Sequence, residues 1–249
     1  MQDANTLDKP ITLYQSRSRI MNDAIDRIVI KLYRFKEEFK KSTILLTGCS
    51  PGSGTTTIAI NLAIALADAG WNTLLADADM RKGIKYKRLS GNAPGLSDYL
   101  EGNVGLESVI CHTNKKKLRY VTCGPPNKDT VRLLCSERMQ RFIRSAQESF
   151  DFVVFDCPSL TIVPDATVLF PFVDCVALVL RLGGATKKQL ARAKLETAKY
   201  EEKYAGIIVN RVDMRQYERA FPQFDYFEED NIRRAHKRFL KKSNSRGGG

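Results

Sequence analysis

Three aspartates at the ends of apolar runs and one glycine-rich turn hold most of the chemistry this sequence offers. The turn is CSPGSGTTT, residues 49–57, between the apolar stretch TILLTG (Thr43–Gly48) and the alanine- and isoleucine-rich TTTIAINLAIALADAG. Strand, glycine turn and helix in that order make an anion site. Gly52 and Gly54 let successive backbone N–H groups point one way, and a helix starting near Thr55 adds the positive end of its dipole. Thr56 stands where a loop of the Walker A type carries the hydroxyl that coordinates Mg²⁺. LLADADMRKG puts Asp77 and Asp79 at the end of a second run, two residues apart and on one side. FVVFDCPS ends a third run on Asp156, in the position of a Walker B aspartate. Carboxylates at strand ends beside a phosphate loop supply hard oxygens for Mg²⁺, directly or through water. Singly, each aspartate reads as a helix cap or loop residue; together with the turn they predict a nucleotide site.

The elements that must position these groups follow from hydrophobic patterning. Strands are expected at Thr43–Gly48, 72–79, 118–124, 152–158, Cys175–Arg181 and 206–211, with helical segments between them. Near-continuous apolar strands are buried on both faces, so the fold class is α/β, a mostly parallel sheet flanked by helices in three layers. Ligands of such sheets bind at the carboxyl ends of the strands, where the aspartates and the glycine turn fall. Ile25, Ile28, Leu32, Phe35 and Phe39 recur at spacings of three and four, one apolar face of an amphipathic helix. That face packs on the domain or serves a subunit or partner contact. The expected organisation is an N-terminal segment with its helix (1–40), a nucleotide-binding domain (41–213) and a variable basic tail (214–249).

The 249 residues are 43% hydrophobic, ordinary for a globular domain with a sizeable core. The longest apolar candidate for a membrane span, residues 168–180, is too short and is broken by Pro171 and Asp174; the opening MQDANTLDKP has no apolar core of a signal peptide. These features predict a soluble cytoplasmic protein. The six cysteines form no C-x-x-C pair, which argues against a zinc ribbon or redox motif and for reduced structural thiols. Forty basic against 28 acidic residues give a formal charge of +12, concentrated in residues 85–88, residues 115–119 and the tail from Arg233. Such patches suit anionic lipid, nucleic acid or an acidic partner, against the alternative of a solvated end. No base-reading motif accompanies them, so a nucleic-acid role is disfavoured.

With these residues in place, the sequence resembles the bacterial tyrosine kinases (BY-kinases), the CpsD-like proteins of capsule and exopolysaccharide export. SPGSGTTT, LLADADMR and VVFDCP look like their Walker A, A′ and B motifs; residues 95–110, 124–127, 133–139, 163–169 and 206–213 resemble the connecting segments. The likeness spans about residues 20–213. It implies a P-loop NTPase domain, Rossmann-like, related to the Min/Par ATPases. It also implies that Gly52, Ser53, Gly54, Thr55, Thr56 and Thr57 bind phosphates of ATP or ADP, and that Thr56, Asp79 and Asp156 hold Mg²⁺. Asp77 would lie near the attacking tyrosine hydroxyl as general base, and Asn210 with Arg211 would lie by the adenine.

Three departures from that family stand out. Thr55 occupies the position of the Walker A lysine, the Glu-x-x-Arg-x-x-Arg oligomerisation signature falls on DAIDRIV (residues 23–29) without either arginine, and the terminal tyrosine cluster is replaced by lysine, arginine and glycine. A missing donor of this kind costs about 2.7–4 kcal/mol in the transition state, whereas backbone amides and helix dipole still favour binding. Arg81 and Lys82 are candidates to replace part of the charge. The expectation is a nucleotide-binding protein of the tyrosine-kinase type with impaired transfer, acting with a separately encoded membrane activator or adaptor and resting peripherally on the inner face of the membrane through its tail. A non-catalytic nucleotide-sensing pseudokinase is the second reading. A Min/Par-type partitioning ATPase is the third, weakened because Ser50 stands at that group's signature lysine.

Overall fold

The alternating apolar strands and helices assemble around a seven-stranded sheet ordered β3-β4-β2-β5-β1-β6-β7. The structure is a computed structural model, and it describes residues 11–13, 15–16, 19–40, 42–81 and 94–213. The strands are β1 (Thr43–Gly48), β2 (Thr73–Asp77), β3 (Cys111–His112), β4 (Leu118–Val121), β5 (Phe152–Asp156), β6 (Cys175–Arg181) and β7 (Tyr204–Asn210). Every pairing is parallel except β3 with β4. The mostly parallel sheet flanked by helices is the α/β class expected.

β1, β2 and β5 are buried along their whole length, because helices cover both faces. Successive side chains alternate between two cores. Leu46, Leu75 and Val154 face one with α1 (Arg19–Phe39) and α2 (Thr55–Asp68). Leu45, Leu74 and Val153 face the other with α3 (Leu96–Glu101), α4 (Thr130–Leu134), α5 (Glu137–Ser149) and α6 (Asp165–Leu169), on which α7 (Lys187–Ala198) also lies. α2 is apolar on all sides and buried from Ile58 to Ala67. A helix of that kind needs cover on its outer side. The amphipathic α1 supplies it, burying Ile25 and Leu32 against α2 while Ile30 and Tyr33 stay exposed.

The N-terminal stretch is tied in as well. Ile11 bridges Thr113 at the sheet edge, Asn114 pairs with both the N–H and the carbonyl of Leu13, and Ser16 N–H donates to Asn61 of α2. The chain divides into two compact units, Met1–Asn210 and Arg211–Gly249. The basic residues 85–88, Lys82 and the tail from residue 214 lie outside the described residues. In the remaining basic run, Lys115 pairs with Asp68 at 2.8 Å and Lys117 donates to the carbonyl of Gly70. Both cations thus sit at the C-terminal end of α2, where a helix dipole favours positive charge. Among the described residues no helix is long and apolar enough to cross a membrane.

Candidate functional site

β1 ends in a loop that is closed by its own side chains. Ser53 Oγ donates to the carbonyl of Ser50 at 2.6 Å and accepts the Ser50 N–H at 3.2 Å; Ser50 Oγ donates to the carbonyl of Gly184. Gly54 precedes α2 with φ 86, left-handed backbone that other residues adopt only at a cost. It also lies so close to Asn210 that an added Cβ would run into the side-chain amide. That amide donates to the carbonyl of Ser53 at 2.9 Å. The loop is therefore fixed with its Ser53 carbonyl turned onto β7. The N-cap residue Gly54 has no side chain to cap the first turn of α2, so its N–H groups form an anion site at the carboxyl end of β1.

A cavity of about 330 Å³ opens over this turn. The loop from Ser50 to Thr56 forms its floor, and Asp79, Arg81 and Ile162 belong to its walls. Asp77 and Asp156 are Cα partners across β2 and β5, each only 3% exposed. Asp77 Oδ1 accepts the Asp79 N–H at 2.9 Å, and the Ala78 N–H donates to the Asp156 carbonyl. The three expected carboxylates are thus gathered at the ends of two adjacent strands. Their combined charge registers on Cys157, whose thiol is pushed well up, first by burial and then by Asp156, Asp77, Asp79 and Asp165. It stays protonated at neutral pH, which removes it as a nucleophile.

Among the described residues no group of three or more His, Cys, Asp or Glu side chains is arranged to hold a metal alone. The donor set fits Mg²⁺ in the manner of a nucleotide site, where one or two carboxylates act with a threonine hydroxyl, water and substrate phosphates. Thr55 and Thr56 line the cavity, whereas Thr57 is exposed on α2. Arg211 has φ 55 and opens the second unit.

Sequence reasoning missed three features. Asp165 is fully buried and takes Arg81 in a two-pronged ion pair, Nε to Oδ2 at 2.8 Å and Nη2 to Oδ1 at 2.7 Å. Its signal was an aspartate after proline in the apolar run VPDATVLF. Asn210 holds the phosphate loop through Ser53, a contact that adenine binding did not suggest. Ile162, 62% exposed beside the cavity, was not singled out at all.

Residues 44–228 match the family described as the CobQ/CobB/MinD/ParA nucleotide binding domain, CbiA. The tyrosine-protein kinase CpsD of Streptococcus agalactiae is 32% identical over 177 residues, covering 70% of this chain and 77% of the relative. The kinase domain of the Escherichia coli tyrosine kinase ETK superposes with a TM-score of 0.70 at 27% identity, covering 77% of each chain. The septum site-determining protein MinD of Pyrococcus horikoshii OT3, solved with Mg-ADP, shares the fold with a TM-score of 0.57 at 22% identity, over 70% of this chain and 72% of that one.

Proposed function

Because this chain belongs to the bacterial tyrosine kinases of the CobQ/CobB/MinD/ParA nucleotide-binding family, we propose that it binds ATP and ADP with Mg²⁺ in the cavity above α2 and transfers phosphate to tyrosine only slowly. The observation that carries this reading is the start of α2 behind Gly54, without a side-chain cap from the N-cap position, in a cavity that Asp79 also lines. In this reading the amides of residues 52–57 hold the phosphates and fix their orientation. Thr56, Asp79 and Asp156 are the ligands for Mg²⁺, which when bound neutralises phosphate charge. Asp77 receives the proton of the attacking hydroxyl. Its bond to the Asp79 N–H fixes one of its oxygens, so its direction is set before substrate arrives. Asn210 keeps the loop in place from β7 and, in this reading, lies towards the adenine.

Thr55 decides the rate. It offers one neutral hydrogen bond where the family has a positive charge, and that charge acts chiefly in the transition state. We place the protein in capsule or exopolysaccharide assembly beside a membrane partner, with the tail of residues 233–246 against the inner membrane surface. The second reading, a nucleotide sensor without transfer, is favoured by the same threonine. Both are tested by incubating the chain and Thr55→Lys with Mg-ATP and measuring phosphotyrosine by mass spectrometry. Weak labelling that rises about 10²–10³-fold in the variant is expected. Labelling absent from both chains sinks the kinase reading and leaves the sensor.

A further inference from the structure

The phosphate loop of this chain carries no cation, yet its cavity does. Arg81 lines the same cavity as the loop, and its guanidinium is held by Asp165 through Nε and Nη2. Asp165 is 0% exposed while the Arg81 side chain is 34% exposed. The two ends of the pair therefore differ. The carboxylate belongs to the core and cannot leave its partner without a buried charge going unpaired. The Arg81 side chain lines the cavity, while the bonds to Asp165 use Nε and Nη2 and not Nη1. Its orientation is fixed before any ligand arrives, which spares the ordering cost that a flexible lysine would meet.

In the nucleotide-site reading the first turn of α2 and Thr56 would take the inner phosphates and Mg²⁺, with Asp79 as a further metal ligand. Arg81 lines the same cavity as the loop and Asp79, so its cation is available to the phosphate that the loop leaves uncovered. We infer that Arg81, clamped by Asp165, is the group with which this chain recognises the terminal phosphate of a nucleoside triphosphate, so that ATP is distinguished from ADP despite Thr55. This rests on the nucleotide-site reading above. The competing account is a purely structural staple between the turn after β2 and the start of α6.

The test measures dissociation constants of the full chain for ADP and for a non-hydrolysable ATP analogue, both with Mg²⁺, by calorimetry. The main variant is Arg81→Gln with Asp165→Asn. It removes both charges together, keeps a polar group at each position and leaves no buried ion unpaired. Loss of a charge-assisted hydrogen bond predicts roughly 10-fold weaker binding of the ATP analogue, with ADP changed less than about two-fold. Equal weakening of both ligands, or of neither, overturns the inference and leaves the staple. If the parent chain binds neither ligand, the nucleotide-site reading falls and this one with it. Should the double variant fail to fold, Arg81→Lys takes its place. A point charge instead of a fork predicts about three-fold loss for the analogue alone, and unchanged discrimination overturns the inference.

Discussion

Replacing Gly54 by alanine tests the architecture of the phosphate loop, and its cost can be worked from two features. The left-handed backbone, φ 86, costs a non-glycine residue roughly 1–2 kcal/mol. The new methyl also runs into Asn210 Nδ2, so the 2.9 Å bond to the Ser53 carbonyl must break, at about 1 kcal/mol. Together these give roughly 2–3 kcal/mol, a lowering of the melting midpoint by about 4–12 °C for a unit of this size. Asn210→Ala alone loses the bond and costs about 1 kcal/mol. In the double variant the bond is lost once, not twice. The cycle should therefore show a coupling of about 1 kcal/mol, the double variant being less destabilised than the sum. Urea unfolding of the four proteins, followed by circular dichroism, provides the values. Strict additivity, or Gly54→Ala within about 0.5 kcal/mol of the parent, would refute the claim that Asn210 and the left-handed turn hold the loop together.

Other perturbations have separate readouts. Asp79→Asn should weaken ADP binding in the presence of Mg²⁺ and leave metal-free binding nearly unchanged, as titrations with and without chelator will show. Asp77→Asn should keep nucleotide affinity within about two-fold while phosphotyrosine formation by the Thr55→Lys chain falls by about 10²-fold or more. Iodoacetamide at neutral pH should label the exposed Cys135 well before Cys157, because burial and four carboxylates raise the latter's thiol pKa and keep it protonated; mass spectrometry of the native protein would expose the opposite order. Removing the residues after Asp230 should reduce flotation with anionic liposomes at low salt, since each basic residue near such a surface contributes about 1 kcal/mol. Equal flotation of both chains returns the tail to a solvated end.

Much of the fold was legible because burial on both sheet faces leaves long apolar runs in the sequence. β1 and β6 fall where patterning put them, Thr43–Gly48 and Cys175–Arg181. Strand ends were harder to read. The run expected to reach 79 stops at Asp77, where the Asp77 carboxylate takes the N–H of Asp79 out of the ladder. The run to 124 stops at Val121 because the carbonyls of Thr122 and Cys123 accept from Leu96 and Ser97. β7 starts at Tyr204, two residues before the expected 206, beside a register shift at Val176/Ala177. β3 has two residues and no periodicity to detect. At the site, the glycine turn and the aspartates could be seen because each is local. The ties that fix them are not: Arg81 and Asp165 are 84 residues apart, Asn210 and Ser53 are 157 apart, and neither pair leaves a spacing pattern.

On the proposed function, α2 presents a working nucleotide site even though Thr55 replaces the lysine. Isothermal titration of the full chain with ADP, in Mg²⁺ and then in chelator, tests it most directly. The account predicts saturable one-to-one binding that is stronger with Mg²⁺ and is abolished by Gly54→Val, which fills the phosphate space. Absence of heat from both ADP and ATP at millimolar concentration with Mg²⁺ present would contradict it.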